Sequence, residues 1–469
     1  MGGRAGAAVL VGLLGTLVAA SGSTSSPAGA AVKSSSGTVA ASDCPLSTLA
    51  HHKGTVSIDM WESMHTTLTK TLTALTNTFN TSQSKVHVNL VQQASYTDTW
   101  TKYQAGLTNG QLPGVVQLTS IDLQAMSDSR SALPVQACIK ASHYKTSDFV
   151  GRILNAFKVG GVQVGMPFAI SSPILIYNQL ALQAAGISSP PSTLGQLVAD
   201  AAALKAHGSG MALKLDPWHL ETWLATANQL FVNNENGRAR RATKAVFDTA
   251  VARRIWGDLD QMVRSGDAIT TSAQGANPYD NLLAIGSGQV GMTIDTSAVL
   301  STVYTVLASG QYPNVKLGVA PLPVYSTKVK GGIEPGGSAL YIPNRIPKLD
   351  QAAAWDFISF LDSATSQATW AAGTGYIPIR KSAAKSATVQ RLWQQSPGYK
   401  VSYEQLVDGV VTPATAGAAL GPYAQVRQVE LTAEEGMFQQ GTSPAKALAS
   451  AARKIDQILA QYNQRVGST

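Results

Sequence analysis

Three short apolar segments decide the fold: residues 56–60 (VSIDM), residues 86–91 (VHVNLV) and residues 115–118 (VVQL). Apolar and polar residues alternate in the first segment, which is typical of a half-buried strand. Between the segments, residues 68–79 and 97–108 carry apolar side chains at helical spacing. This order of strand, helix, strand, helix and strand predicts a parallel sheet with helices on its faces.

A parallel sheet of this kind also predicts where a ligand would bind. Ligands of open α/β sheets bind outside the carboxyl ends of the strands. The loops that follow the predicted strands contain Trp61, Tyr96 and Ser120. We therefore expect these loops to be the first candidates for a binding site.

A second series of elements follows Pro167 and Phe168. We predict strands over residues 174–177 and 289–294, and helices over residues 180–185, 193–207, 243–265, 352–361 and 444–462. The last helix has Ser443 as its cap and Pro444 at its first position, where proline is favoured. The repeated alternation predicts two α/β lobes, with the chain crossing between them more than once.

Length and composition restrict the class of protein. The chain has 469 residues, enough for two or three lobes, and a formal net charge of +8. Only 13% of its residues are charged, against about 25% in typical globular domains. Disordered chains and nucleic-acid-binding tails concentrate charge, so both are disfavoured, and we expect no nucleic-acid partner. The basic excess is consistent with an anionic partner or with a solvated surface that happens to be basic.

The N-terminal region predicts export. Residues 5–20 form an apolar run after Arg4, too short for a full membrane span, and we interpret residues 1–30 as a signal peptide. Residues 31–44 are predicted to be a flexible tether. The expected location is the cell envelope or the exterior; alternatively, an uncleaved N-terminal segment anchors the chain. No other stretch is apolar enough to enter a bilayer.

The sequence contains two cysteines, Cys44 and Cys138. An even number outside the cytoplasm favours one disulfide, which would tie the tail to the first lobe. The alternative is two unrelated thiols. Neither the cysteines nor the seven histidines show metal-ligand spacing, so we expect no metal site.

Motifs for catalysis and cofactor binding are missing from the sequence. There is no GxSxG elbow, no GxGxxG after a strand, no Walker A loop and no HExxH helix. We therefore expect neither an enzyme nor a cofactor.

Four motifs resemble a known family: residues 61–64 (WESM), 167–173 (PFAISSP), 336–341 (GGSALY) and 373–378 (GTGYIP). They are similar to motifs of the extracellular solute-binding proteins of ABC importers, in particular the members that bind glycerol 3-phosphate and glycerophosphodiesters. The resemblance extends over about residues 55–462, in the same order.

The resemblance implies a fold and partners. The fold would be the two-lobed periplasmic-binding-protein-like fold (type II), each lobe a mostly parallel sheet flanked by helices, with a cleft between them. Lobe 1 would comprise residues 45–170 and 337–375, and lobe 2 residues 171–336 and 376–469. The expected partners are the permease subunits of the importer, and the protein itself is expected to be a monomer.

The resemblance also implies which residues contact the ligand: Tyr96, Ser171, Gly337, Tyr376 and Arg427. Arg427 follows Gly421-Pro422 in what should be the first turns of a helix. A guanidinium there offers two parallel donors to a phosphate.

The remaining expected site residues mark departures from the family. Trp218 matches an aromatic that lines the cleft, but Leu215 stands where glycerol-phosphate binders carry a second aromatic. Ser120 replaces an acidic residue, whose role Asp122 would take over. Thr296 replaces a serine.

These features predict the ligand. The smaller Leu215 leaves room for a head group, which favours a glycerophosphodiester such as glycerophosphocholine over glycerol 3-phosphate. Nearby tryptophan or tyrosine rings would attract a choline group. The alternative is an oligosaccharide-binding protein of a sugar importer, and a secreted hydrolase is a third possibility.

Overall fold

A computed structural model describes residues 39–272 and 277–467. The predicted signal peptide, residues 1–30, and the first part of the predicted tether, residues 31–38, lie outside the described residues. Within the described ranges, no helix combines the length and the apolar character needed to cross a membrane.

The described residues form alternating strands and helices. The strands are β1 (Val56–Glu62), β2 (Val86–Gln92), β3 (Val115–Thr119), β4 (Ala132–Leu133), β5 (Lys158–Val159), β6 (Val162–Gln163), β7 (Met166–Ser171), β8 (Pro173–Asn178), β9 (Met211–Leu215), β10 (Ala268–Ser272), β11 (Met292–Thr296), β12 (Leu317–Pro321) and β13 (Gly336–Pro343). The helices are α1 (Leu46–His51), α2 (Thr67–Ser82), α3 (Tyr96–Asn109), α4 (Leu123–Asp128), α5 (Val135–Ala141), α6 (Gly151–Ala156), α7 (Gln179–Ala184), α8 (Leu194–Ala206), α9 (Pro217–Thr226), α10 (Asn233–Asn236), α11 (Ala250–Arg264), α12 (Asp280–Gly286), α13 (Leu300–Ala308), α14 (Lys348–Leu361), α15 (Ala364–Thr374), α16 (Lys381–Ala384), α17 (Ala387–Gln395), α18 (Gly398–Val407), α19 (Tyr423–Phe438) and α20 (Pro444–Gly467).

Most of these strands belong to two separate sheets. The first has the order β2-β1-β3-β13-β4, with β7 also paired to β13, and the second has the order β10-β9-β11-β8-β12. In the first, β13 runs antiparallel to β3, β4 and β7, while β1 is parallel to β2 and β3. In the second, β8 runs antiparallel to β11 and β12. Each of these two sheets thus has one reversed strand among parallel ones, β5 and β6 form a separate antiparallel pair, and the expected two-lobed α/β fold is confirmed.

The chain crosses between the sheets at two places. β7 ends at Ser171 in the first sheet and β8 begins at Pro173 in the second, so Ser172 is the first crossing point. There the Ser172 N–H donates to Ser297 Oγ at 3.1 Å, and the Ser297 N–H donates to the Ser172 carbonyl at 2.8 Å. The second crossing runs from β12 to β13. The lobe boundaries given above stay a prediction.

The apolar pattern explains the elements of the first lobe. Val56, Ile58 and Met60 are buried while the residues between them are exposed, as their alternation predicts. On α2, Phe79 is buried and lies 5.0 Å from the ring of Phe357 on α14. The sheet is thereby covered by helices whose apolar stripes face it.

The predicted helix over residues 243–265 was wrong at its start. Helix α11 begins only at Ala250, where Thr249 Oγ1 accepts from the Ala252 N–H. Thr243 and Lys244, at the start of the predicted helix, bind to a different segment. Their backbone N–H groups donate to Asn233 Oδ1. These side-chain bonds compete successfully with helix formation.

The end of the predicted tether is folded. Cys44 and Cys138 form a disulfide with their Cα atoms 5.0 Å apart, which confirms the predicted bond. Residues Ala41–Asp43 form a 3₁₀ turn, and Lys140 Nζ donates to the Val39 carbonyl at 2.7 Å. These contacts attach residues 39–44 to α5.

Candidate ligand-binding site

The predicted site residues of the first sheet lie at one edge. In the strand register, Gly336 pairs with Ser171 and Ser338 pairs with Thr119. Ser171 is the last residue of β7, and Ser120 directly follows the end of β3. Gly337 is the second residue of β13, the strand that pairs with both. This is the sheet edge at which ligands of α/β folds bind.

Gly337 is a position that requires glycine. Its φ is +124°, and a Cβ atom there would lie 2.1 Å from the Ala169 carbonyl oxygen. Glycine alone adopts this conformation freely and allows the close contact between β13 and β7.

Trp218 links this edge to the second lobe. It lies in the first turn of α9, which Asp216 caps by accepting from the Trp218 N–H at 3.0 Å. Its ring packs on Gly336, where a Cβ atom would come within 2.5 Å of Trp218 Cζ2. The absence of a side chain at Gly336 thus lets an aromatic residue of α9 touch the start of β13.

Two tyrosines form a hydrogen-bonded pair at the same edge. The hydroxyl groups of Tyr96 and Tyr376 bond to each other, and Ser338 bonds to Tyr96. Ser338 Oγ also accepts from Gln117 Nε2 at 2.8 Å. Burial raises the pKa of Tyr376 to about 12 and that of Tyr96 well above its usual range. Both hydroxyls are therefore neutral and able to donate a hydrogen bond.

Arg427 lies in the second turn of α19 and is paired with Glu221 of α9. Arg427 Nε donates to Glu221 Oε1 at 3.1 Å, and Nη2 donates to Oε2 at 2.6 Å. The side chain of Arg427 is 23% exposed and that of Glu221 is 2% exposed. Burial acts to lower the pKa of Arg427, but Glu221 and Tyr423 outweigh it and keep the pKa well above its usual value.

Further carboxyl groups surround this ion pair. Glu334 and Glu430 are buried beside Glu221, and the two carboxylate oxygens of Glu430 have no hydrogen-bond partner among the described residues. Burial, reinforced by the charge of Glu221, raises the pKa of Glu334 and of Glu430 well above the usual value. Both shifts favour the neutral form of these two glutamates, and Arg427 forms its ion pair with Glu221.

Asp122 closes a 3₁₀ turn that begins at Ser120. Its Oδ2 accepts from the Thr119 N–H at 3.2 Å and from the Thr119 hydroxyl at 2.8 Å. Burial raises the pKa of Asp122 to about 6, although Thr119 and the charge of Arg427 act to lower it. A cavity of about 420 Å³ lies beside Asp122, lined among others by Trp100, Gln104, Gln425 and Tyr462.

Two predicted residues end neighbouring strands of the second sheet. Leu215 at the end of β9 is fully buried, so its side chain packs inside the protein. Thr296 at the end of β11 uses its Oγ1 to accept from the Ala298 N–H at 3.3 Å. The adjacent Asp295 binds Lys214 Nζ at 3.0 Å, and this buried ion pair neutralises its charge.

The structure thus places Tyr96 beside Tyr376, and Ser171, Gly337 and Trp218 around the start of β13. Asp122 and Arg427 are near enough for the charge of Arg427 to act on the pKa of Asp122. Leu215 and Thr296 lie at the strand ends but make contacts within their own lobe.

Sequence reasoning missed Glu221 and Ser338. Ser338 belongs to the GGS motif. Glu221 lies three residues after Trp218 on the same helix, and this spacing is a signal that Glu221 shares its face of α9. In the ranges 39–272 and 277–467, no group of histidine, cysteine or acidic residues is arranged to hold a metal ion.

Comparisons with known proteins give the family. The sequence pattern of the family described as "Bacterial extracellular solute-binding protein" matches residues 74–397, more than half of the chain. The sn-glycerol-3-phosphate-binding periplasmic protein UgpB of Yersinia pestis bv. Antiqua (strain Antiqua) is 25% identical over 428 residues, which cover 88% of this chain and 95% of that protein.

Solved structures show the same fold. UgpB from Mycobacterium tuberculosis, in complex with glycerophosphocholine, superposes with a TM-score of 0.73 at 19% identity, covering 87% of this chain and 100% of that one. The GacH receptor of Streptomyces glaucescens, whose structures include complexes with acarbose and an acarbose homolog, gives 0.72 at 20% identity, covering 87% and 99%. The chain belongs to the family of bacterial extracellular solute-binding proteins, the substrate-binding components of ABC importers.

Proposed function

We propose that this protein captures a glycerophosphodiester between its two lobes and delivers it to the permease subunits of an importer. Glycerophosphocholine is the representative ligand. Binding requires no covalent chemistry, because the ligand only has to stabilise the closed form of the two lobes.

The observation that carries this proposal is the partly exposed guanidinium of Arg427. Glu221 occupies its Nε and Nη2 atoms, and within the described residues no hydrogen bond is made by Nη1. A guanidinium has five N–H donors in a planar fork. The side of the fork that carries Nη1 is therefore available to a phosphate oxygen while Glu221 keeps the group oriented.

Aromatic side chains support a phosphodiester with a head group. The Tyr423 ring centroid lies 5.0 Å from the guanidinium carbon of Arg427, and Trp218 lies on α9, the helix that carries Glu221. Aromatic faces attract quaternary ammonium groups. The glycerol-phosphate relatives and the glycerophosphocholine complex described above agree with this ligand class.

An oligosaccharide is the second candidate, for a specific reason. Buried carboxyl groups such as Glu221 and Glu334, together with the Trp218 ring, can bind sugar hydroxyls and sugar faces. The similarity of fold to the acarbose-binding GacH receptor agrees with this alternative.

A thermal-shift screen of the exported form separates these candidates. A ligand at 100 times its Kd stabilises a protein by about 2.7 kcal/mol. We expect glycerophosphocholine to raise the melting temperature and maltose and maltotriose to leave it unchanged. Stabilisation by a maltose-type sugar without any effect of glycerophosphocholine would reverse the proposal.

A further inference from the structure

We propose that Glu221 is a positioning residue that makes the site select phosphodiesters over phosphomonoesters. This inference rests on the proposed function, since it concerns which phosphate ester Arg427 accepts. Glu221 would act through Arg427 and would not contact the ligand itself.

The geometry of the pair supports orientation of Arg427. Two parallel hydrogen bonds, of 3.1 and 2.6 Å, hold the guanidinium in one plane against the Glu221 carboxylate. Such two-point pairing fixes direction as well as distance. Tyr423 covers the guanidinium from one face. The remaining donors of Arg427 therefore have a fixed direction before a ligand arrives.

The charges around Glu221 come from α9, α19 and the segment before β13. On α19 they are Arg427, Glu430 and Glu434, and on the segment before β13 the group is Glu334. Burial raises the pKa of each of these three glutamates well above its usual value, which favours their neutral form. Arg238, whose guanidinium donates to the carbonyls of residues 156, 416 and 417, faces Glu334. The charge of Arg427 is then opposed by the paired carboxylate of Glu221, and Asp216 at the start of α9 and Asp122 also act on Arg427.

This balance distinguishes two classes of phosphate ester. A phosphodiester carries one negative charge, whereas a phosphomonoester carries about −1.5 to −2 near pH 7. Arg427 can satisfy one negative charge, but any further charge on the ligand is repelled by the fixed carboxylate of Glu221. Like charges that close together in a partly desolvated site are strongly unfavourable. The site is therefore matched to a diester and mismatched to glycerol 3-phosphate.

Titration calorimetry at pH 7.5 with three ligands tests this assignment. Glycerophosphoglycerol is a diester with a neutral head group, glycerophosphocholine is a diester with a cationic one, and glycerol 3-phosphate is the monoester. We expect the wild-type protein to bind both diesters at least tenfold more tightly than the monoester. The variant Glu221→Gln, whose amide oxygen can still accept from Arg427, should reduce this ratio to less than threefold.

The matched control is Glu404→Gln on α18. Glu404 is an exposed partner of Lys400, so this variant removes the same charge without altering the cleft and should keep the wild-type ratio. Equal or tighter binding of the monoester by wild type, or an unchanged ratio in Glu221→Gln, would overturn the role of Glu221. Should Glu221→Gln fail to fold, a wild-type ratio near one still overturns the proposal, and the folded double variant Arg427→Gln/Glu221→Gln must lose the preference for diesters if the pair creates it. If the wild-type protein bound none of the three phosphate esters but bound a maltose-type sugar, the proposed function would instead be refuted.

Discussion

The pair formed by Arg427 and Glu221 means that replacing Arg427 alone changes stability as well as ligand binding. Replacing Arg427 by glutamine leaves the carboxylate of Glu221 buried, 2% exposed, without its cation. Loss of one partner of a buried ion pair costs about 3–5 kcal/mol of folding free energy, because the other charge remains desolvated. A loss of binding in that variant would therefore mix instability with a lost ligand contact.

A double variant separates the two effects. We expect Arg427→Gln to lower the free energy of unfolding by about 3–5 kcal/mol and Arg427→Gln/Glu221→Gln to recover most of this loss, because both charges are removed together. Both proteins should lose glycerophosphocholine binding. Urea unfolding and calorimetry measure the two quantities. Wild-type affinity in the folded double variant would exclude Arg427 as the phosphate contact.

Asp122 predicts a pH dependence of stability. Its pKa is raised to about 6 in the folded protein, against about 3.9 in an unfolded chain, so the native state holds its proton more tightly. Its contribution to stability is present below about pH 4 and is lost as the pH rises through 6, by about 2–3 kcal/mol. We expect Asp122→Asn to lose less stability than wild type between pH 4.5 and 7.5 in urea unfolding.

The control for this prediction is Asp408→Asn, an exposed aspartate at the end of α18. Other buried acids with raised pKa values, such as Glu430, titrate in the same direction in all three proteins and cancel in the comparison. Equal pH profiles of Asp122→Asn and wild type would show that Asp122 is not held in its protonated form.

The site was only partly predictable from single residues. Arg427 was recognisable because it follows Gly421-Pro422 at the start of a helix, and that helix begins at Tyr423. Its partner Glu221 lies 206 residues earlier, and no local pattern reports a pairing over that distance. The same holds for the raised pKa of Glu334, which depends on burial by several elements.

Among the elements, the contact of α9 with β13 depends on a missing side chain. Gly336→Ala would place a methyl group 2.5 Å from the Trp218 ring and force the ring to move. We expect at least tenfold weaker glycerophosphocholine binding and a loss of about 1–3 kcal/mol in the free energy of unfolding.

The matched control is Gly257→Ala in the interior of α11, where an added Cβ meets nothing within 4 Å. That variant should gain about 0.5–1 kcal/mol from helix propensity and bind ligand normally. Normal binding by Gly336→Ala would show that the Trp218 contact is unnecessary for ligand capture.

The disulfide predicts an effect on stability alone. It joins residues separated by 94 positions, and bonds of this kind stabilise proteins by about 2–4 kcal/mol. We expect Cys44→Ser/Cys138→Ser to lose this amount in urea unfolding. Ligand affinity should be unchanged, because α5, which carries Cys138, contributes no site residue. A large loss of affinity in the folded variant would link the disulfide to the site.

The strands and helices were predictable where apolar residues recur at a single regular spacing along the sequence. The alternation in β1 and the apolar stripe of α20 both reappear in the structure. The start of α11 was missed because the Asn233 side chain binds the residues before it, a contact between distant segments. The reversed directions of β8 and β13 follow from the two crossings between sheets, which strand patterns alone do not show.

At the scale of the whole molecule, the proposed site combines residues from both sides of the two crossings. Trp218 and Arg427 lie on helices α9 and α19, which contact each other, whereas Tyr96, Asp122 and Gly337 belong to the first sheet and its connections. A ligand that touches both sets favours the form in which they are close. Ligand capture is thereby converted into a shape that a permease can distinguish.

The identity of the ligand is the central claim, and one competitive measurement tests it most directly. Calorimetric titration of the exported protein at pH 7.5 should show saturable, one-to-one binding of glycerophosphocholine, unaffected by an excess of maltotriose. The account would be contradicted if maltotriose gave heat of binding and glycerophosphocholine gave none at any concentration below 1 mM. That limit corresponds to about −4 kcal/mol of binding free energy.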